Sequence, residues 1–362
     1  QALQTELDGL PDGYEKWLLD LVALGTVCDI VTLADENRAN VYWGLEVLKK
    51  QQRPGLKALM AVSGIEPEQV NARHLGFGLG PRMNAAGRLE TAQHALDMLT
   101  ARDGLAALEA SEKLEELNAK RRGIQDAIFE EACVQAEELA DDRVLVVSSS
   151  GWNHGVIGIV ASKLVEKYKK PVFIIGERGE EATGSARSFG DFSAADAVRA
   201  ADDIIIKGGG HGAAAGVTLE TKKIGDFRRR VNEFYDSLQL TNQERYLLPR
   251  ADVEIDDFSE INEELVENLA KMEPFGNGNP EPVLKITTAS VLSMRRMGAD
   301  RQHVKLALRD KNSKVLQVLS FNAPEDFFRE PGDEVAVWFQ PTVNEWQGVR
   351  TVEGRLLYIE QI

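Results

Sequence analysis

The chain has 362 residues, of which 43% are hydrophobic and 28% charged, with a formal net charge of −16 and two cysteines. This length suits two or three domains, and the acidic balance excludes a protein that coats duplex nucleic acid with broad basic surfaces. No apolar run approaches the roughly 20 residues that cross a bilayer. Residues from Gln1 onward show no signal-peptide pattern, so we expect a cytoplasmic protein with Cys28 and Cys133 as free thiols.

The first hundred residues read mainly as helices. Residues 17–24 predict a helix, followed by a short turn or strand that carries Asp29. Further helices are predicted from about Asn37 to Lys50 and over residues 54–66. The glycines and proline of residues 74–82 predict a loop.

The next stretch predicts one long helix. Residues 104–141 are rich in Ala, Glu, Leu and Lys and contain no proline, with Gly123 as the candidate site of a bend. A helix of this length commonly connects two lobes.

Alternating strands and helices then predict an α/β domain of about 100 residues. The predicted strands and helices are 143–148, 156–168, 172–175, 182–188 and 194–201, with a last helix from about Lys222.

Within this domain, residues 207–217 read KGGGHGAAAGV and follow the apolar residues Ile204, Ile205 and Ile206. We interpret them as a strand that ends in a glycine loop, whose free N–H groups could hold a phosphate. Tight packing of small residues between a helix and a sheet is the alternative.

Each of four other segments has a structural interpretation and a chemical one. SSSGWNHGV (148–156) is either a capped turn or a set of N–H and hydroxyl donors for an anion. GSARS (184–188) is either a strand edge or an arginine grip on a phosphate. GPRMNAAGRL (80–89) is either a salt-bridged loop or a contact to a nucleic-acid backbone. In ALGTVCD (23–29), the aspartate either caps a helix or coordinates an ion.

Beyond Asn242 the pattern changes to short strands. A helix over residues 260–272 leads into the turn-rich EPFGNGNPEP (273–282). Six β patterns follow, which suggests a small barrel such as an OB-fold. Trp338, Phe339 and Trp346 are the candidates for stacking on nucleic-acid bases, although most such aromatics are core residues.

Taken together and in this order, these motifs resemble the DHH-type phosphoesterases, and among them the RecJ single-strand-specific exonucleases. The resemblance covers nearly the whole chain. It implies an α/β multidomain fold: the end of a DHH catalytic lobe (1–103), a connecting long helix (104–141), a DHHA1 substrate-binding domain (142–246) and an OB-fold (247–362). It also implies 5′-to-3′ removal of nucleotides from single-stranded DNA in repair and recombination, with two Mn²⁺ or Mg²⁺ ions as cofactors.

The resemblance also implies roles for individual residues. Asp29 would be a metal ligand and a catalytic residue, joined in catalysis by Arg187 and His211. The residues implied in substrate binding are Arg82, Asn84, Arg88, Gly151, His154, Ser185, Ser188, Gly209 and Gly210. Single-stranded DNA is the implied partner, with a single-strand-binding protein or a helicase as further candidates and no membrane.

One departure from the family pattern bears on activity. The 362 residues contain no Asp-His-His and no two adjacent histidines, and Asp29 alone cannot hold two divalent ions. We therefore expect the C-terminal part of such an enzyme, one that binds single-stranded DNA weakly and hydrolyses nothing by itself. The alternatives are a phosphodiesterase of the same superfamily acting on short oligonucleotides or cyclic dinucleotides, and a non-catalytic DNA-binding protein.

Overall fold

The computed structural model describes residues 11–362, apart from the side chains of Glu244 and Trp346. The helices are α1 (Leu19–Cys28), α2 (Asp35–Lys49), α3 (Pro54–Val62), α4 (Gly80–Leu89), α5 (Gln93–Thr100), α6 (Gly104–Glu138), α7 (His154–Tyr168), α8 (Ala194–Ala200), α9 (Ile224–Ser237) and α10 (Glu263–Ala270). The strands are β1 (Leu145–Ser150), β2 (Val172–Arg178), β3 (Glu181–Arg187), β4 (Ile205–His211), β5 (Ala214–Glu220), β6 (Val253–Ile255), β7 (Leu284–Met297), β8 (His303–Arg309), β9 (Val315–Ser320), β10 (Glu334–Trp346) and β11 (Val349–Gln361). None of the helices in residues 11–362 combines the length and the apolar character that a bilayer crossing requires.

The described residues form two compact units. The central unit comprises residues 47–70 and 74–247, and the barrel unit comprises residues 11–46, 71–73 and 248–362.

The central unit is built on a five-stranded sheet of order β1-β2-β3-β5-β4. β1 and β2 are parallel and are joined by α7, whereas the other neighbours are antiparallel. Apolar residues of α6 and α7 cover one face of the sheet, and those of α8 and α9 cover the other. This two-sided burial explains the near-continuous apolar runs of β1 and β2.

The long helix is confirmed, and α6 passes through Gly123 without interruption. Its start is fixed by Asp103, whose carboxylate accepts the N–H groups of Leu105 and Ala106 at 3.1 and 2.9 Å. Three polar residues on its inner face, Ser111, Asn118 and Gln125, are buried.

Two loop predictions in this unit are wrong. Residues 74–82 are helical, because a π-helix (His74–Leu79) runs directly into α4 and Pro81 occupies its first turn, where no N–H is needed. Gly78 serves packing there, since a Cβ at this position would lie 2.9 Å from Cδ1 of Ile65. The glycine run is likewise a strand: β4 contains Gly209, Gly210 and His211, and it pairs with β5 instead of preceding a helix.

The barrel unit contains a closed five-stranded barrel. β7, β8, β9, β11 and β10 are neighbours in that order, and β10 pairs again with β7. This is the strand order of an OB-fold, as expected. The two strand patterns predicted between 283 and 294 form the single strand β7, and β6, which the sequence analysis did not identify, adds to its edge.

Two of the three proposed stacking aromatics are core residues. Trp338 and Phe339 on β10 are only 5% and 0% exposed, so their predicted role in base stacking is wrong. Phe339 lies in the barrel core, and Trp338 packs against Lys285 and Tyr358. The side chain of Trp346 lies outside the described residues.

Residues 30–38 of the barrel unit are hydrogen-bonded to the turn-rich segment 273–280 and to Met272, which precedes it. The Leu33 N–H donates to the carbonyl of Asn277 at 2.7 Å, and the Asn277 side chain donates to the carbonyl of Ile30 at 2.9 Å. Arg38 donates to the carbonyls of Met272 and Glu273, both at 2.9 Å. The turn-rich sequence is therefore an anchor for residues 30–38.

Candidate functional site

Arg187 and His211 lie at the same end and on the same face of the central sheet. Arg187 on β3 is directly opposite Ala214 on β5, which in turn is directly opposite His211 on β4. Directly opposite residues of antiparallel strands share a face, and two strand spacings separate these two Cα atoms by about 10 Å. The small Ala214 side chain leaves the space between them open.

Glycines extend this open face. Gly216 on β5 and Gly209 on β4 are paired and lie opposite Ser185 of β3. A Cβ on Gly209 would meet nothing within 4 Å, and one on Gly216 would meet only the Gly184 carbonyl oxygen, at 3.9 Å. The floor beside Arg187 is therefore bare backbone that a ligand can approach closely.

The alternate glycines of β4 serve packing instead. A Cβ on Gly208 would lie 2.5 Å from Cγ1 of Val198, and one on Gly210 would lie 2.3 Å from the Ala214 carbonyl oxygen. Gly208 thus packs against α8 and Gly210 against the paired strand, whereas Gly209 leaves its side of the sheet open.

Arg187 extends along α7. Its Nη1 donates to Ser185 Oγ at 3.2 Å and to the Ala186 carbonyl at 2.8 Å. A Cβ on Gly158 would lie 3.3 Å from Arg187 Nη2 and 3.1 Å from Ser185 Oγ. Gly158 therefore lets the helix approach the guanidinium and the hydroxyl.

Arg88, from α4, lies beside the first turn of α7. Its Nη1 donates to the Gly155 carbonyl at 2.8 Å, and its side chain is otherwise exposed. Asn84, one helical turn earlier, is also exposed. Arg82 is differently placed: it forms an ion pair with Glu115 and donates to the Gly78 carbonyl at 2.7 Å, so its guanidinium is already engaged.

One further arginine, Arg121, was not predicted from the sequence. Arg121 on α6 donates to Asn118 Oδ1 at 3.0 Å and to Gln125 Oε1 at 2.8 Å, and its buried Nε has no hydrogen-bond partner. The available signal was the seven-residue spacing of Ser111, Asn118 and Gln125, which puts polar groups on the buried face of a helix.

The charge of Arg88 acts on both of the other two arginines. Burial first, and the charge of Arg88 second, lower the pKa of Arg187. Burial also lowers the pKa of Arg121, with the charges of Arg122 and Arg88 adding to the effect. Among the described residues, no carboxylate lies within 4.0 Å of the guanidinium of Arg88, Arg121 or Arg187. The charge of Asp126 opposes the lowering of the Arg121 pKa, without forming an ion pair with that residue. We call Arg88, Arg121 and Arg187 the arginine cluster; clustered cations that lack ion-pair partners favour a bound anion.

The start of α7 does not offer the free donors that were predicted for an anion. The Asn153 side chain caps the helix by accepting the Gly155 N–H at 2.8 Å, and the Asn153 carbonyl accepts the N–H groups of Val156 and Ile157. The preceding Gly151 has φ of +83°, which favours glycine in this turn. The donors that could meet an anion here are therefore arginine side chains and not the helix terminus.

His154 lies over the sheet at Gly176, where a Cβ would be 3.3 Å from the imidazole Nε2. That Nε2 atom is buried and has no hydrogen-bond partner. Burial, and secondarily the charge of Arg178, lower the pKa of His154. These surroundings therefore favour the neutral ring, whose buried nitrogen is without a hydrogen-bond partner.

Ser188 is tied to its own loop. Its hydroxyl donates to the Phe192 carbonyl, and its N–H donates to the Ala213 carbonyl at 2.9 Å. Because its one proton is used, this hydroxyl can only accept a hydrogen bond. It would have to rearrange before it could donate to a phosphate.

Asp29 follows the last residue of α1 in the barrel unit and is exposed. No group of three or more His, Cys, Asp or Glu side chains within residues 11–362 is arranged to hold a metal ion. The described donors thus do not fit a two-metal centre, and we derive no chemical step through metal from them.

Comparisons with known proteins agree with this architecture. The family model described as the DHHA1 domain matches residues 141–237, and that described as the RecJ OB domain matches residues 251–357. This chain is RecJ-like. The two matched domains follow each other in the order that the sequence motifs predicted.

RecJ-like similarity extends beyond these two domains. The chain is 36% identical over 349 residues to the single-stranded-DNA-specific exonuclease RecJ of Bacillus subtilis, covering 94% of this chain and 43% of that protein. It is 31% identical over 353 residues to RecJ of Escherichia coli, covering 93% and 60%. A crystal structure of Thermus thermophilus RecJ in complex with Mn²⁺ matches with a TM-score of 0.83 at 29% identity, covering 99% of this chain and 51% of that one. The chain thus spans about half the length of the relatives it matches.

Proposed function

We propose that the central unit binds the phosphates of single-stranded DNA through the arginine cluster. The observation that carries this proposal is that Arg88, bonded to α7 at Gly155, acts electrostatically on both Arg121 and Arg187, and that Arg187 lies beside the bare backbone of Gly209 and Gly216. The Ser185 hydroxyl adds a polar group, and the buried Nε of Arg121 supplies a donor that a phosphate oxygen would satisfy. The substrate class comes from the names of the relatives, which are single-stranded-DNA-specific exonucleases.

The reaction that we propose for the whole protein is 5′-to-3′ exonucleolytic hydrolysis of phosphodiester bonds, as part of DNA repair and recombination. Arg187 would stabilise charge on the reacting phosphate. His211, which lies two β-strands away in the sheet, would contact the same DNA strand. Mg²⁺ and Mn²⁺ in the Thermus thermophilus RecJ structures support a divalent cofactor. Asp29 stays a proposed ligand, to be completed by donors other than those described.

In the barrel unit, Phe321 is the aromatic side chain that best suits base stacking. It is 65% exposed at the end of β9, and its ring meets that of His303 edge-on with centroids 5.1 Å apart. The His303 Nδ1 accepts the N–H of Asn322 at 3.0 Å, which fixes the ring behind the phenylalanine. Base–aromatic stacking tolerates any sequence, as an exonuclease requires.

Two alternatives remain as outcomes of experiment. A phosphodiesterase specific for short oligonucleotides or cyclic dinucleotides would have little use for the barrel, so the match over residues 251–357 favours the longer substrate. A non-catalytic binding protein fits the donor set of the described residues as well as the exonuclease does. A cytoplasmic location, with a single-strand-binding protein or a helicase as partner, belongs to the same proposal.

The test is the binding of fluorescent oligo(dT) to the 362-residue chain, followed by anisotropy over a range of salt concentrations. Arg187→Ala should weaken binding and reduce the slope of log Kobs against log[salt] by about 0.7, the value for one lost phosphate contact on a single strand. Arg102→Ala is the matched control, because Arg102 is exposed in the same unit. Equal slopes for the two variants would refute the arginine cluster as the phosphate site.

A second measurement concerns catalysis. We expect no nucleotide release from labelled oligo(dT) by this polypeptide with Mn²⁺, since its described residues lack a metal-ligand set. Mn²⁺-dependent release that EDTA abolishes would show that expectation to be wrong and would favour the enzyme over the binding protein.

A further inference from the structure

A short segment beyond the DHHA1 match packs against the loop that follows Arg187. The family match ends at residue 237, whereas the 3₁₀ turn Gln243–Tyr246 lies later in the chain. Its partner is the loop over residues 188–193, which leads from β3 into α8. Both belong to the central unit.

Asp191 is the centre of this contact. Its Oδ2 accepts Arg245 Nη2 at 2.6 Å and Gln243 Nε2 at 3.0 Å, and its Oδ1 accepts the Tyr246 hydroxyl. The Asp191 N–H donates back to Gln243 Oε1 at 3.1 Å. One carboxylate and one amide of the loop thus bind three side chains of the segment.

The neighbouring loop residues fit the same segment. Gly190 has φ of +63°, which favours glycine, and a Cβ there would lie 2.0 Å from Gln243 Oε1 and would displace that side chain. The Phe189 and Tyr246 rings meet edge-on with centroids 6.3 Å apart, and the Arg245 guanidinium lies 4.8 Å from the Tyr246 ring centroid. The contact therefore has a defined geometry and is more than a chance surface ion pair.

The loop in turn is hydrogen-bonded to the backbone beside the proposed phosphate site. Ser188 comes directly after Arg187, and its N–H donates to the Ala213 carbonyl at 2.9 Å. The Ala194 N–H donates to the Gly212 carbonyl at 2.8 Å. Residues 212 and 213 form the turn between β4 and β5, next to His211. A displacement of the loop would consequently move both sides of the site.

We propose that Gln243, Arg245 and Tyr246 are positioning residues, which act through Asp191 to hold the backbone after Arg187 and the β4–β5 turn beside His211 in the arrangement that binds phosphate. This inference rests on the proposed function and adds to it the segment that keeps the site in place. None of the three residues needs to touch DNA.

The sign of the charge effect makes the proposal testable. Removing a carboxylate near a phosphate site should strengthen DNA binding if electrostatics alone operates. Removing the carboxylate that positions the loop should weaken binding. Asp202 is the matched control, since it is an exposed acid of the same unit just beyond α8.

In oligo(dT) binding by the full chain, we expect Asp191→Ala to weaken binding about five-fold, the equivalent of one lost hydrogen-bonded contact, and Tyr246→Phe to weaken it about two-fold. Asp202→Ala should leave binding unchanged or slightly tighter. Asp191→Glu, which retains the charge and the acceptors, should restore part of the loss. Tighter binding by Asp191→Ala, equal to that of Asp202→Ala, would overturn the proposal.

Hydrogen exchange measures the loop without DNA. The amides of residues 188–193 should exchange faster in Asp191→Ala and Tyr246→Phe, with α7 and β2 unchanged, because only the local contact is lost. Unchanged exchange in this loop overturns the inference. Faster exchange with unaltered binding also overturns the positioning role but leaves the arginine cluster intact, whereas a wild-type chain that does not bind oligo(dT) removes the proposed function itself.

Discussion

Arg88 and Gly155 contact each other at two points. The Arg88 guanidinium donates to the Gly155 carbonyl at 2.8 Å, and the Arg88 carbonyl oxygen lies 2.4 Å from the place where a Cβ on Gly155 would stand. The absence of a side chain at residue 155 is what brings α4 against α7 and Arg88 toward Arg187.

This contact predicts the effect of Gly155→Ala. The methyl group would push the Arg88 backbone away, at a cost of about 1–3 kcal/mol in the free energy of unfolding, and it would weaken oligo(dT) binding. Thermal unfolding and anisotropy measure the two effects. Gly225→Ala on α9 is the control, since a Cβ there meets nothing within 4 Å and should stabilise by about 0.4–1 kcal/mol. Equal melting temperatures for the two variants would contradict the steric argument.

Phe321→Ala should weaken binding of oligo(dT) long enough to reach the barrel unit, by about 1–3 kcal/mol for one lost stacked base. The free energy of unfolding should change little, because the ring is 65% exposed. Val315→Ala tests specificity, as Val315 on β9 is 52% exposed but not aromatic. Identical affinities of the two variants would assign Phe321 no role in stacking.

Arg38→Ala should destabilise the barrel unit by about 1–3 kcal/mol, since the Met272 and Glu273 carbonyls lose a charged donor. Urea denaturation measures the loss. Arg250→Ala, a change at an exposed arginine of the same unit, should have almost no effect. A denaturation midpoint shared by both variants would show that the anchor at residues 273–280 contributes no stability.

His154 predicts a pH dependence. Because burial lowers its pKa in the folded state, the unfolded chain binds the proton more readily. The stability due to neutral His154 is present above about pH 6.5, the ordinary value, and is lost as the pH falls below it toward the folded-state value. His154→Gln should therefore flatten the decline of the melting temperature between about pH 7 and pH 5.

His94→Gln is the contrasting variant for this experiment. The His94 ring pairs with the Glu90 carboxylate, 3.0 Å away, and its side chain is 31% exposed, unlike the buried ring nitrogen of His154. Its replacement should not flatten the decline. If the melting temperatures of wild type and His154→Gln declined in parallel with pH, the folded state would not disfavour the protonated ring of His154.

The sequence predicted the architecture well where local pattern and tertiary packing agree. The composition of α6 and the apolar runs of β1 and β2 determine their structures almost alone, and the barrel strands were recognisable from their spacing. Glycine was the main source of error. Gly78, Gly208 and Gly210 allow close packing, which a sequence cannot distinguish from a turn.

The site was predicted in part. The register of β3, β5 and β4 places Arg187 and His211 on one face of the sheet, as expected. Arg88 contacts α7, the helix that also borders Arg187, because it donates to the Gly155 carbonyl. Arg121 and Asp191 were not identified, because each owes its position to residues far away in the chain or to the buried face of a long helix. Their roles, like those of the other site residues, remain predictions for the experiments above.

The bare backbone at Gly209 and Gly216 determines how well the candidate site could distinguish one nucleobase from another. Along Gly209 and Gly216 there are no side chains to offer donors or acceptors to a nucleobase, and a Cβ on either glycine would meet no atom closer than 3.9 Å. A chain of nucleotides moving past Arg187 would meet the same surface whichever base it carried. Purines and pyrimidines should pass with equal ease, and composition should matter only where a base can stack.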